Sequence, residues 1–362
     1  MARIVIAPDS FKGSAAAEVA SAALARGWMG VRPGDELVQL PMADGGEGSV
    51  DAFAAAFPTA KRMRLIVTGP DDRPVDGEWL LLPDGTGVVE LALASGITLL
   101  DPLLPFDAHT LGFGQLIAAA LDHGVDRLLL AIGGSSSTDG GAGALTALGG
   151  RLLDVEGGAV APGNRGLAHV ATVDLTGVRA LPVGGAAVLS DVTNPLLGPT
   201  GAAAVFGPQK GARPGDIDEL EANLARFAAL VGVDPSTPGA GAAGGAGFGL
   251  LAWGASLAPG SSAVGDALGL PAAAASADLV ITGEGRFDEQ SAAGKVPSYL
   301  LSLGRPTALV AGLIEASTDA FADAVSLTGL AGSGDAARAN AERWLVEAGA
   351  TLARRFGARS LG

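Results

Sequence analysis

Two lysines near opposite ends of the chain stand in similar settings. Lys12 lies in PDSFKGS (8–14), behind Asp9 and Ser10, in a turn between a short apolar run and a helical pattern. Lys295 lies in QSAAGKVP (290–297). A lone lysine in a turn is ordinarily solvated. Two at such addresses flank a single crevice if both chain ends form one parallel-sheet domain. Carboxylates come next. Asp44 and Glu47 lie three apart where a helix begins, so both can face its orphan N–H groups, and capping explains one of them better than two. Asp191 follows the apolar run 187–190 and precedes Asn194 and Pro195, a turn that fixes the backbone. It is either a turn former or a metal and base residue. Glu284 and Asp288 bracket Arg286 in what reads as a loop. Finally, AIGGSSSTDGGAG (131–143) reads as strand, turn and helix start, with Asp139 just before the helix. There the N–H groups of Gly133, Gly134, Ser135, Ser136 and Ser137 can approach an anion, unless this is simply a tight turn in a glycine-rich chain.

One chemistry uses all of these groups. Phosphoryl transfer needs carboxylates for Mg²⁺, cations for the equatorial oxygens, backbone N–H groups for the other phosphates, and a base for the attacking hydroxyl. The glycines form no G-x-x-x-x-G-K-[ST] loop and no G-x-G-x-x-G fingerprint opening a helix, so a nicotinamide-dependent oxidoreductase is disfavoured. No G-x-S-x-G elbow occurs, and His109, His123 and His169 give a serine hydrolase little support. There is no cysteine and the three histidines are scattered, so any metal is a hard, oxygen-bound ion such as Mg²⁺. The 38 acidic and 23 basic residues leave a net charge of −15. That balance argues against nucleic acid as a partner and supplies no polybasic patch for a membrane. The N-terminus runs directly into a strand and no apolar stretch spans a bilayer, so the expected location is the cytoplasm.

The elements that must hold these residues follow from apolar spacing. Runs at 3–7 and 37–40 are each followed by a loop and a helical pattern, at 15–28 and 44–57. The runs 278–281 and 307–311 repeat that style, and 335–356 reads as one long terminal helix. These four runs are expected to share one mostly parallel sheet. Between them, alternation at 62–67 and further runs at 78–82 and 88–93 read as hairpin strands. The segment 214–231 is an amphipathic helix, and 239–254 is so rich in glycine that a helix there must pack closely or follow a loop. With 48% hydrophobic but only 4% aromatic residues, packing rests on Ala, Leu and Val. The expected fold class is α/β: one domain from residues 1–60 and 275–362, and a second, mixed α/β domain from 61–274 inserted into it.

Six long blocks resemble the bacterial glycerate kinases that phosphorylate D-glycerate with ATP. They are IAPDSFKGS (6–14), PMADGGEGSVDA (41–52), AIGGSSSTDGGAGALTALG (131–149), SDVTNPLLGPTGAAAVFGPQKGA (190–212), GAAGGAGFGLLAW (241–253) and ADLVITGEGRFDEQSAAGKVP (277–297). The resemblance implies a Rossmann-like domain built from both chain ends, an inserted α/β domain, and a cleft between them for glycerate and nucleotide. It favours transfer to the 2-hydroxyl, giving 2-phosphoglycerate, over a 3-phosphoglycerate product. A hydroxy-acid or nucleotide-binding regulatory protein on the same fold would have shed charged loop residues, yet Lys12, Asp44, Asp191, Asp288 and Lys295 are all present. Two departures stand out. Ser136, Ser137 and Thr138 replace the Ala-Thr-Asn usual in GGSATNDGG, and segment 101–114 lacks the common Arg-Asn-Pro. On this reading Asp191 is the base or a Mg²⁺-linked orienting group, and Asp288 the other carboxylate able to reach the metal. Lys12 and Lys295 meet anionic oxygens of glycerate and the moving phosphoryl group. Ser10, Asp44 and Arg286 position glycerate, and residues 133–137 serve the ATP phosphates. Oligomeric state is left open.

Overall fold

The computed structural model describes residues 1–11, 13–289 and 295–359. The chain divides into two compact units, one of Met1–Asp44, Asp51–Pro58 and Gly260–Gly362, the other of Gly45–Val50 and Thr59–Pro259.

In the first unit five strands form a sheet in the order Asp323–Ser326, Thr307–Ile314, Leu279–Phe287, Arg3–Ile6, Glu36–Gln39, and every neighbouring pair is parallel. Ile4 pairs with Leu279 on one side and Leu37 on the other, so the N-terminal strand ties the two ends of the chain together. Ile4, Val5 and Ile6 are wholly buried, as expected of a short apolar run covered on both faces. The helices Ala17–Val31 and Ala341–Arg359 supply cover through Leu24, Trp28, Leu345 and Leu352, while Leu309, Ala311, Phe287 and Phe321 form a smaller cluster. The two helices touch backbone to backbone: a Cβ on Gly27 would lie 1.9 Å from the Val346 carbonyl oxygen.

Two expectations change here. The strand beginning near 278 does not stop at Ile281 but stays paired as far as Phe287 with Ile314. Glu284 and Arg286 therefore stand on a strand, not in a loop. Gly283 signals a turn in sequence, yet its missing side chain is what admits the neighbouring strand, since a Cβ there would meet the Val310 carbonyl at 2.5 Å. The terminal helix breaks at Asn340 (φ −139°) into Gly334–Ala339 and Ala341–Arg359, with Ser333 capping the first piece.

In the second unit six strands run in the order Ser256–Ala258, Ala186–Leu189, Arg127–Ala131, Thr86–Glu90, Pro74–Leu81, Lys61–Thr68. The last two junctions are antiparallel hairpin pairings and the rest are parallel, so this sheet is mixed. Leu130, Val188, Phe113, Phe227 and Phe248 belong to its core. The protein is thus an α/β protein with a Rossmann-like parallel-sheet unit from both chain ends and a mixed α/β unit inserted. Among the described residues no helix is long and apolar enough to cross a membrane.

Candidate active site

Because all five strands of the first sheet point the same way, the loops leaving them gather at one edge, where ligands of such sheets bind. A cavity of about 540 Å³ lies at that edge. Asp9 and Ser10 reach it from the end of the first strand, and Asp44 from beyond the second. Arg286 comes from the long central strand, with Asp288 just past it and Lys295 at the start of the helix Val296–Ser302. Five residues singled out from the sequence, Ser10, Asp44, Arg286, Asp288 and Lys295, are therefore brought to one place. Lys12 lies outside the described residues.

Each has a physical setting. The Ser10 N–H donates to Asp9 Oδ1 at 2.6 Å, which fixes the turn after the first strand. Arg286 is already engaged, its Nε donating to Glu315 Oε2 at 2.6 Å with Asp288 Oδ2 at 3.8 Å. Lys295 caps its helix in extended conformation (φ −87°, ψ −173°), is half-buried, and forms no ion pair with a described residue. Among the described residues lining this cavity it is the cation without an ion pair. The helix expected to begin at Asp44 runs only over Ser49–Ala56. A different carboxylate accepts at its start: buried Glu90 takes the N–H of Gly48 at 2.9 Å and of Val50 at 3.0 Å. Asp44 lines the cavity instead, and Glu47 is exposed.

The other named residues belong to the second unit. Asp191 is half-buried two residues beyond the strand Ala186–Leu189, in the segment leading to Pro195. Residues 133–137 follow the strand Arg127–Ala131, but they do not open a helix. That helix, Ala142–Ala147, starts later and is held by Asp139, which accepts from Gly141 and Gly143 N–H and from the N–H and hydroxyl of Thr110. Asp139 is thus a fully buried helix anchor. The N–H of Gly133 donates to the Gly45 carbonyl and that of Ser136 to the Ser95 carbonyl. Those of Gly134, Ser135 and Ser137 donate to no described residue.

Sequence reasoning passed over Lys210, which is 1% exposed and bonded to Ser135 and Ser137. Lys210 falls in the FGPQKGA end of the 190–212 block, but a lysine in a glycine-rich turn is solvated by default, and only tertiary packing reveals its burial. Glu90 was missed because a carboxylate ending a strand gives no sign that it caps a helix over forty residues away.

Magnesium can be tested against this donor set. Asp9, Asp44, Glu284 and Asp288 place hard oxygen donors on this cavity, the donor class that Mg²⁺ takes. No group of three His, Asp or Glu side chains able to hold a metal occurs among the described residues. One or two of these carboxylates would suffice for Mg²⁺, which is typically held that way together with substrate phosphates and waters.

Comparison with known proteins gives the same direction. The glycerate kinase family model matches residues 4–357. A glycerate kinase of Bacillus subtilis (strain 168) is 46% identical over 305 residues, covering 82% of this chain and 80% of that protein. A glycerate 2-kinase of Escherichia coli (strain K12) is 42% identical over 308 residues, with the same shares of 82% and 80%. A crystal structure from Salmonella typhimurium LT2, provisionally assigned as a glycerate kinase 2, superposes with a TM-score of 0.86 at 38% identity, covering all of both chains. The chain is an enzyme of the glycerate kinase family.

Proposed function

We propose that the protein transfers the γ-phosphoryl group of ATP to the 2-hydroxyl of D-glycerate, giving 2-phosphoglycerate and ADP. The observation that carries this reading is the cavity at the carboxyl edge of the parallel sheet, where Ser10, Asp44 and the unpaired Lys295 converge. The choice of the 2-hydroxyl is supported by the similarity to the E. coli glycerate 2-kinase.

In this reading Lys295 binds an anionic oxygen of glycerate or of the moving phosphoryl group, and Lys12 supplies a second cation. Ser10 and Asp44 hydrogen-bond the hydroxyls of glycerate. Arg286, held by Glu315, orients the acid from the strand. Asp191 accepts the proton as the hydroxyl oxygen bonds to the γ-phosphorus and the bond to the β–γ bridging oxygen breaks, leaving ADP. Residues 133–137 receive the remaining phosphates. Asp288 and Asp191 are the carboxylates that would hold Mg²⁺, whose charge would neutralise that of the phosphates.

The test is direct. Purified protein with D-glycerate, ATP and Mg²⁺ should release ADP, and phosphorus NMR should show a phosphate ester on the secondary carbon. A primary ester would move the reading to the 3-hydroxyl. No ADP above background, with turnover on another hydroxy acid, would overturn the substrate.

A further inference from the structure

Lys210 ends the short turn Pro208–Lys210 and is 1% exposed. An amine taken from water is costly to bury unless its hydrogens find acceptors. Here they find two, Ser135 Oγ at 2.7 Å and the Ser137 carbonyl at 2.5 Å. Burial pushes the amine down to about 7, against the opposing pull of Asp139. The neutral form carries two N–H donors, matching the two acceptors.

The surrounding backbone is shaped to admit this contact. Ala243, Gly244 and Gly245 are successively left-handed, with φ of 56°, 70° and 88°. A Cβ on Gly244 would lie 2.6 Å from Lys210 Nζ and 2.0 Å from the Ser137 carbonyl oxygen, so only glycine fits there. Alanine rarely adopts such a φ, and local strain of this kind gathers at functional sites. Around the clamp several polar groups are left over. Among the described residues the N–H groups of Gly134, Ser135 and Ser137 have no acceptor, and the buried hydroxyls of Ser137 and Thr138 have no partner.

We propose that Lys210 is a positioning residue: by holding Ser135 Oγ and the Ser137 carbonyl, it fixes residues 134–137 so that their free N–H groups meet the anionic oxygens of a nucleoside polyphosphate. Lys210 does not touch the nucleotide. This rests on the assignment of residues 133–137 to the ATP phosphates made above.

The experiment measures kcat and the two KM values, with ATP and D-glycerate varied separately, alongside thermal melting. Lys210→Met removes both donors at similar length. It should raise the KM for ATP about tenfold or more, the scale of one or two lost hydrogen bonds, while the KM for D-glycerate stays within about twofold. A purely structural lysine would lower the melting temperature and the amount of active enzyme but leave both KM values alone, and that result overturns the proposal. Should Lys210→Met fail to fold, Ser135→Ala removes half of the clamp. A several-fold rise in the KM for ATP then supports the proposal, and an unchanged value overturns it. Gly134 is exposed at φ 74°, where Asn and Asp are tolerated, so Gly134→Asp and Gly134→Asn test the loop itself. If the added charge leaves the KM for ATP equal to that of Gly134→Asn, the assignment of this loop to phosphates is overturned, and the role of Lys210 with it. If Gly134→Asp alone raises it and Lys210→Met does not, the loop assignment stands and the Lys210 proposal fails.

Discussion

At the residue scale the proposed mechanism leans most on Asp191, because proton transfer needs an acceptor on a fixed backbone. The strand Ala186–Leu189 and Pro195 bracket it, which limits how far its carboxylate can wander. Asp191→Asn keeps the shape and removes the proposed proton acceptor. It should leave the melting temperature nearly unchanged and lower kcat by about a hundredfold or more. A folded variant with near-normal kcat/KM would exclude Asp191 as the base and move that role to Asp288. Lys210 gives a second prediction, in stability rather than rate. Its amine sits at about 7 in the folded protein against an ordinary 10.5. Between those values the unfolded chain holds the extra proton, so this lysine's contribution to stability improves as pH rises and is at its worst below about 7. The stability of the wild type relative to Lys210→Met should therefore climb between about pH 7 and pH 10, by something on the order of a few kcal/mol, as read from urea midpoints. The contrast between Lys295 and Lys210 shows what a sequence can tell. A lysine after a strand at a sheet's carboxyl edge is legible from pattern, because topology fixes where strand ends go. A lysine buried by contacts with residues 73 and 75 positions away is not, since nothing local distinguishes it from a solvated one.

At the element scale the first unit depends on how closely two helices approach. Gly27 sits against the Val346 carbonyl, and Gly349 against that of Leu24, where a Cβ would come within 2.2 Å. On an isolated helix Gly27→Ala would be favourable by about 1 kcal/mol. Here the helices must separate and Trp28 and Leu24 lose packing, so the net effect should be destabilising by about 1–3 kcal/mol. A urea midpoint at or above that of the wild type would show that the crossing is looser than the structure indicates. The same elements show which parts of the fold were readable. Short apolar runs at 3–7, 278–281 and 307–311 announced buried parallel strands because such strands are covered on both faces and lack alternation, whereas the run at 37–40 is the sheet's edge strand and stays partly exposed. The hairpin strand Lys61–Thr68 of the second unit was readable for the opposite reason, its alternating exposure. Glycine misled in the central strand, where it permits close strand packing rather than a turn. The break at Asn340 was hidden because 335–356 keeps helical spacing on both sides of it.

At the scale of the whole molecule, the two units differ in how the chain builds them. The second is nearly continuous, with strands from Lys61–Thr68 to Ser256–Ala258, and its core needs no residue beyond 259. The first requires Ile4 to find Leu279 and Ile281 to find Ala308, so its central pairing closes a loop holding the entire second unit. Loop closure over such a separation must be met before the contacts reward it, which slows folding. If the inserted unit forms early, its compactness shortens the effective loop and helps the ends to meet. The tryptophans report on this separately: Trp28 and Trp344 belong to the first unit, Trp79 and Trp253 to the second. Refolding from urea should restore the fluorescence of a W28F/W344F variant, which sees only the second unit, before that of a W79F/W253F variant, which sees only the first. Tryptophan-to-phenylalanine changes at buried sites lower stability, so rates are to be compared at equal distance from each variant's own midpoint. Coincident single phases in the two variants would mean that the units fold as one, and that the long-range pairing of the chain ends does not set the pace.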